Sequence, residues 1–170
     1  VWGPCGMTAQ VPTCGEAHVQ RVTADDGCRL SVRTLRPDTN GALPVIFIHA
    51  LAMTGQMWEG VAQAMSPGPA LYAVDCRGHG DSDKPPGPYT TALFARDIGA
   101  VLRHLRLRQA HLVGCSMGGT VALAFAGRYP TQVASLTVVD ATACYGEDSR
   151  PGWEARGQRA FNEGFEAMLP

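Results

Sequence analysis

The sequence predicts an α/β fold: a mostly parallel sheet with helices on both faces, incomplete at its C-terminal end. Between residues 45 and 139, short continuous apolar runs alternate with segments of helical period. Strands covered on both faces and joined by crossover helices read this way. A glycine-flanked serine, Gly114-Cys115-Ser116-Met117-Gly118, stands where one apolar run meets a small-residue helix. All five histidines, His18, His49, His79, His104 and His111, precede that serine. In a fold of this kind the serine's partners follow it in the chain, an acid and then a histidine. The sheet that would carry them is therefore expected to continue beyond residue 170.

Residues 1–16 are punctuated by Gly and Pro without period and read as an irregular arm. Two strands, 18–24 and 28–35, flank Asp25-Asp26-Gly27, a hairpin turn signal. Val45-Ile46-Phe47-Ile48 is a buried-type strand, expected over 45–49. Trp58, Val61, Ala62 and Met65 follow at helical spacing until Ser66-Pro67-Gly68-Pro69 breaks the helix. A second buried strand, 70–75, ends at Asp75, and the Gly- and Pro-rich stretch 77–88 must be loop. Phe94, Ile98, Val101, Leu102 and Leu105 mark an amphipathic helix, with Arg96, Arg103 and Arg106 on its other faces. Then come a strand at 110–114, a helix ending near Tyr129-Pro130, and a strand at 133–139. Residues 144–152 read as loop, and Phe161, Phe165, Met168 and Leu169 as the apolar stripe of a helix over 153–169. The chain divides into the arm, a core segment at 17–145, and the start of a cap or lid at 146–170.

Bulk properties narrow the function. The length of 170 residues suits one domain or most of one. A net charge of −1 with 17% charged residues gives no electrostatic basis for binding nucleic acid or an acidic membrane. No apolar run approaches the ~20 residues that span a bilayer. No basic start leads into an apolar core as in a signal peptide, so a cytoplasmic protein is expected. Six cysteines at 5, 14, 28, 76, 115 and 144 show no metal-ligand spacing, so no metal site is expected. Cys5 and Cys14 are expected to be reduced rather than paired.

Within G-x-S-x-G, a sharp strand-to-helix turn would force Ser116 into a strained backbone conformation. Glycines two residues to either side would let strand and helix cross closely. The helix behind it would aim free N–H groups and its positive dipole end at developing negative charge. Ser116 is the candidate nucleophile; the plainer alternative is a helix N-cap serine. Cys115, one residue off the apex, would point into the core.

Three ordered motifs carry a family resemblance: Phe47-Ile48-His49-Ala50-Leu51, then Asp75-Cys76-Arg77-Gly78-His79-Gly80-Asp81-Ser82, then the elbow continued as Gly118-Gly119. Together they resemble the α/β-hydrolase family over about residues 18–170. Within it, the loop Arg77-Gly78-His79-Gly80-x-Ser82, Pro85 to Tyr89, the Ser-Met-Gly-Gly elbow and the segment from Trp153 through Arg156 and Glu163-Gly164 to Ala167-Met168-Leu169 most resemble 3-oxoadipate enol-lactonases. Related esterases, perhydrolases and ring-cleavage-product hydrolases share much of this. One departure is Ala50, where the family usually has a glycine, which narrows the backbone freedom of that loop.

The resemblance implies hydrolysis of a carboxylic ester or lactone through a serine acyl-enzyme, without cofactor or metal. Met117 and Leu51 would supply oxyanion-hole N–H groups. It implies structural hydrogen-bonding roles for His49 and His79, and Arg77 and Asp81 are expected to pin their own loop. Asp140 ends the strand after the elbow, where some relatives place their acid; a loop-capping carboxylate is the alternative. Trp153 and Phe161 would line a substrate pocket or pack against residues not in this chain. The implied partner is a C-terminal segment of the same gene product, carrying acid and His. Acyl transfer or perhydrolysis is the nearest alternative activity; an inactive binding module is the alternative of another class.

Overall fold

The structure, a computed structural model, describes residues 18–144 and 146–164. Strands β1 (His18–Thr23), β2 (Arg29–Arg36), β3 (Val45–Ile48), β4 (Leu71–Asp75), β5 (Ala110–Cys115) and β6 (Val133–Val139) form one sheet in the order β1-β2-β4-β3-β5-β6. The β1–β2 hairpin and the β2–β4 pair are antiparallel, while β4, β3, β5 and β6 run parallel. The hairpin turns at Gly27, whose φ of 86° is one that an L side chain rarely adopts. Four buried residues make up the whole of β3, as a strand covered on both faces requires.

Helices α2 (Thr91–His104) and α3 (Met117–Arg128) cover one face. There Phe94, Ile98, Val101 and Leu102 of α2 and Val121, Ala122 and Phe125 of α3 pack on Leu30, Val32, Ile46, Ile48, Val74 and Leu112. Thr90 caps α2 by accepting from the Leu93 N–H at 3.1 Å. The other face is covered by a 3-10 turn, Gly55–Trp58, and the short helix α1 (Glu59–Ala64). Trp58 and Ala62 close a smaller cluster over Val45, Phe47, Leu71 and Ala73. Val61 does not join it: six residues present one narrow stripe to the sheet, and Val61 falls outside that stripe, exposed.

Two expectations fail after β6. The loop there is shorter than 144–152, because α4 (Arg150–Glu163) begins at Arg150 behind a 3-10 turn, Glu147–Ser149. Pro151, inside the stretch expected to be loop, lies in the first turn, where its missing N–H has no intrahelical partner to lose. At the other end α4 stops at Glu163, with Gly164 at φ 83° as its C-cap. α4 buries none of its residues: Trp153 is 43% exposed and Phe161, the one stripe residue among those described, 86%. Phe165, Met168 and Leu169, like the arm at 1–16 with Cys5 and Cys14, lie outside the described residues.

The loop after β4 is fastened by a buried guanidinium. Arg77 donates from Nε and Nη2 to both oxygens of Asp97 on α2, each at 2.6 Å, and from Nη1 to Asp26 in the hairpin turn at 2.7 Å. This is the pinning role expected of Arg77, drawn across three elements. Two carboxylates hold the guanidinium protonated. Burial pushes the Asp97 carboxyl up, and the bidentate bond from Arg77 opposes it. The separate bond from Arg77 to Asp26 holds that carboxyl below the ordinary carboxylate range. Removing one partner of such a pair strands the other charge in low dielectric. Arg77→Met is expected to lower the unfolding free energy by ~3–5 kcal/mol, with Asp97→Asn milder, as read by urea denaturation.

Candidate active site

The carboxyl ends of β3, β4, β5 and β6 converge on Ser116. Its φ of 49° and ψ of −115° lie outside the regions ordinary residues occupy, as the turn required. Ser116 stands at the N-cap position of α3, but its side chain makes no capping hydrogen bond. Its backbone N–H is tied instead to the Val139 carbonyl at 2.9 Å, which fixes the turn against the end of β6.

The flanking glycines are demanded by backbone. A Cβ on Gly114 would collide with the Gly118 carbonyl and stand 2.6 Å from the Gly119 nitrogen. A Cβ on Gly118 would collide with the Ile48 carbonyl and stand 2.7 Å from that of His49. The helix start thus crosses β3 as well as β5, a contact the sequence reading did not anticipate. Cys115 faces away, packed beside the Phe47 and Trp58 cluster as expected.

Residues 50–53 form the loop after β3, closed by the Met53 N–H donating to the Ala50 carbonyl at 3.1 Å. Leu51 is the exposed first central residue of this turn. The concern over Ala50 shifts by two residues: the positive φ of the loop falls at Ala52, 62°. An alanine held there costs roughly 1–2 kcal/mol, so the loop carries strain beside the elbow. Met117 is the first residue of α3, so its N–H has no intrahelical acceptor.

His49 is fully buried and its two ring nitrogens serve backbone. The Cys76 N–H donates to Nε2 at 2.9 Å, so Nε2 is the acceptor. The proton therefore sits on Nδ1, which donates to the Ala50 carbonyl at 2.7 Å. Burial holds the imidazole below its ordinary value. His79 packs against it with ring centroids 4.9 Å apart and its Nδ1 3.1 Å from the Arg77 carbonyl. Both histidines brace loops.

Asp75, the strand end that opens the second motif, lies buried beneath both loops. Its Oδ1 accepts from the Gly55 N–H at 2.6 Å and its Oδ2 from the Asp81 N–H at 3.0 Å. A Cβ on Gly80 would stand 2.6 Å from its carboxyl carbon. Asp81 thus takes part in its loop through its backbone; its carbonyl also accepts from Arg21. The Ser82 hydroxyl donates to the Asp75 carbonyl at 2.6 Å and accepts from the Ser31 N–H at 2.8 Å.

Asp140, directly after β6, is exposed and has φ of 47°. The loop it opens is fastened to α3: Ala141 lies against Gly119, and the Thr120 hydroxyl donates to the Thr142 carbonyl at 3.1 Å. Trp153 and Phe161 are on α4 and share no buried packing with Ser116 or Leu51. Among the described residues no group of three or more His, Cys, Asp or Glu is placed to hold a metal ion. No helix among them is long and apolar enough to cross a membrane.

Asp97 and Thr120 are not among the residues singled out in the sequence, and Asp75 stands there in a motif but without a role. Asp97 had left a signal, standing on the apolar stripe of α2 beside Phe94, Ile98 and Val101, where a lone carboxylate needs a buried partner. The partners of Asp75 and Thr120 left no signal, because they are backbone groups of other loops.

Comparison with known proteins agrees with this geometry. Residues 44–163 match the family model described as the alpha/beta hydrolase fold. The chain belongs to the α/β-hydrolase family. It is 32% identical over 121 residues to 3-oxoadipate enol-lactonase 2 of Acinetobacter baylyi, an alignment covering 71% of this chain and 45% of that protein. It is 33% identical over 134 residues to the 2-(acetamidomethylene)succinate hydrolase of Mesorhizobium japonicum, covering 76% and 48%. The crystal structure of the enol-lactonase from Burkholderia xenovorans LB400 superposes with a TM-score of 0.79 at 28% identity, covering 88% of this chain and 54% of that one. The chain spans about half the length of the curated relatives it matches.

The neutral His49 gives folding a pH dependence of definite sign. The unfolded chain takes up a proton at this residue as the pH falls below 6.5, while the folded state resists it. Stability at this position is complete above 6.5 and declines on acidification, until the folded state itself is protonated. The expected loss is at most ~1.4 kcal/mol per pH unit, measured by urea unfolding of the full-length protein at pH 7, 6 and 5. His49→Gln keeps an acceptor for Cys76 and should flatten that slope.

Proposed function

We propose that this chain is the nucleophile-bearing part of a serine hydrolase that cleaves a carboxylic ester or lactone. The observation that carries the reading is the backbone of Ser116: a non-glycine residue at φ 49°, on a strand-to-helix turn, with no capping role for its hydroxyl. Strain of this kind needs a compensating function, and an N-cap serine has no use for it.

The Ser116 Oγ attacks the carbonyl carbon while a histidine takes its proton. The tetrahedral oxyanion that forms is met by the N–H groups of Met117 and Leu51, and the positive end of α3 adds to their field. Collapse expels the alcohol or enol oxygen, which recovers the proton from the histidine. Water then repeats the sequence on the acyl-enzyme and releases the acid. No metal or cofactor enters these steps.

The histidine comes from polypeptide that is not in this chain, since His49 is committed on both ring nitrogens and no histidine follows Ser116. We propose that a C-terminal segment of the same gene product supplies it, packed along β6, where Val138 and Val139 are 37% and 42% exposed. An uncovered parallel strand with apolar residues at the sheet edge invites such pairing. The same segment provides the acid; the alternative is Asp140 of this chain, directly after β6. Trp153 and Phe161 become pocket walls once it is in place. The enol-lactone of 3-oxoadipate is the proposed substrate, by likeness to the Acinetobacter baylyi and Burkholderia xenovorans enol-lactonases.

Fluorophosphonate treatment of the full-length protein, followed by peptide mass spectrometry, is expected to label Ser116. Ser116→Ala should lose at least ~10³-fold in kcat. An unlabelled Ser116 with undiminished activity would remove the reading. Comparing rates with water, alcohols and peroxide as acceptor separates hydrolysis from acyl transfer and perhydrolysis. A binding module without activity would show neither label nor turnover. Residues 1–170 expressed alone should be poorly soluble and inactive; a soluble, cooperatively folding, active monomer would refute the need for the second segment.

A further inference from the structure

The loop that carries Leu51 is strung between two anchors, and both are on consecutive residues at the end of β4. At its start, His49 accepts the Cys76 N–H at 2.9 Å. At its far end, the Gly55 N–H donates to Asp75 Oδ1 at 2.6 Å, a short charge-assisted bond to a carboxylate that is 3% exposed. Between them the chain turns through Ala52 at a strained φ of 62°. A strained turn keeps its shape only where its ends are held.

The floor of the loop is equally fixed. Gly118 of the elbow helix rests on the Ile48 and His49 carbonyls, so the base of the loop is in register with Ser116. The far end has one hydrogen-bonded tie to this frame, the Asp75 carboxylate. Gly55 packs tightly on it: a Cβ there would stand 3.1 Å from the Ala73 Cβ and 3.2 Å from Asp75 Oδ1. The other oxygen of Asp75 holds the Asp81 N–H, so one charge sets the position of two loops.

We infer that Asp75 is a positioning residue for catalysis: acting through Gly55, its carboxylate sets where the Leu51 N–H stands relative to Ser116. The inference rests on the proposed roles of Ser116 and Leu51. Asp75 touches neither substrate nor the reacting atoms. It works because an oxyanion donor is effective only when already in place, so a displacement well under 1 Å at Leu51 is felt in the transition state and barely in the ground state.

The test uses the full-length protein with p-nitrophenyl acetate as the probe ester. Asp75→Asn keeps the shape but turns an amide N–H₂ toward one of two N–H donors. It is expected to lower kcat about 10- to 100-fold with KM within about 2-fold. Gly55→Ala keeps the carboxylate and crowds the anchor by a few tenths of an ångström, and should lower kcat several-fold. Ser82→Ala is the control: it deletes the bonds to Ser31 and to the Asp75 carbonyl, so it lowers the melting temperature, yet it leaves the Gly55 anchor and kcat intact.

Wild-type kcat in both Asp75→Asn and Gly55→Ala would overturn the inference. So would a kcat loss in Ser82→Ala matching its loss of stability. Should Asp75→Asn fail to fold, Gly55→Ala decides. Amide exchange across residues 49–55 reads the same anchor without turnover: faster exchange in Asp75→Asn and Gly55→Ala, but not in Ser82→Ala, is expected, and equal exchange in all three refutes it. A wild type that neither labels nor turns over would sink the serine-hydrolase reading alone, leaving the anchor to be judged by exchange.

Discussion

The approach of α3 to the ends of β3 and β5, backbone against backbone with no side chain between, is the contact on which the remaining geometry depends. Gly114 and Gly118 stand where a single methyl group would overlap a neighbouring carbonyl. That closeness turns the chain sharply enough to hold Ser116 at φ 49°, and it puts the helix start directly over the His49 carbonyl. The loop after β3, the serine and the positive end of the helix are therefore located by one packing constraint rather than three. Protein interiors deform little, so the arrangement is nearly rigid before any ligand arrives.

The loops around the serine are irregular, and buried charge does for them what helices do for the sheet. Asp75 and Arg77, two residues apart at the end of β4, point their charges to different tasks. The carboxylate gathers backbone N–H groups from two loops. The guanidinium reaches the hairpin and α2 through two carboxylates. Buried charges are costly unless compensated: Arg77 is paired with Asp97 and Asp26, and Asp75 accepts two backbone N–H groups. Their contribution is to position rather than simply to stabilise, because each fixes segments with no repeating hydrogen-bond pattern of their own. The neutral His49, bonded on both nitrogens, adds a third tie without a charge.

On the far side of the molecule the order falls away. Beyond β5 the sheet has only β6, most of it exposed, and α4 extends from the loop behind it with no residue buried. The loop between them is nonetheless held to the elbow helix by Thr120 and by the contact of Ala141 on Gly119. Thus the frame around Ser116 is complete on the β3 and β4 side. The β6 side presents apolar surface at Val138 and Val139.

Much of the parallel core was legible in the sequence, since continuous apolar strands and helical stripes are local patterns whose burial follows from period alone. Strand positions 45–48, 71–75, 110–115 and 133–139 fall within a residue of expectation for this reason. The elbow was legible too, because glycine spacing about a serine encodes a steric demand directly. The extent of α4 was not, since Pro151 reads as a breaker unless it is known to lie in a first turn. Nor were the roles of Asp75, Asp97 and Thr120, because their partners are backbone groups or charges brought near only by the fold. The sequence by itself determined which residues form the sheet and where the strained serine sits, both consequences of local period and sterics. Only the tertiary structure decided which buried polar groups hold the loops, because a hydrogen bond across 20 or 51 residues exists only after the strands have paired.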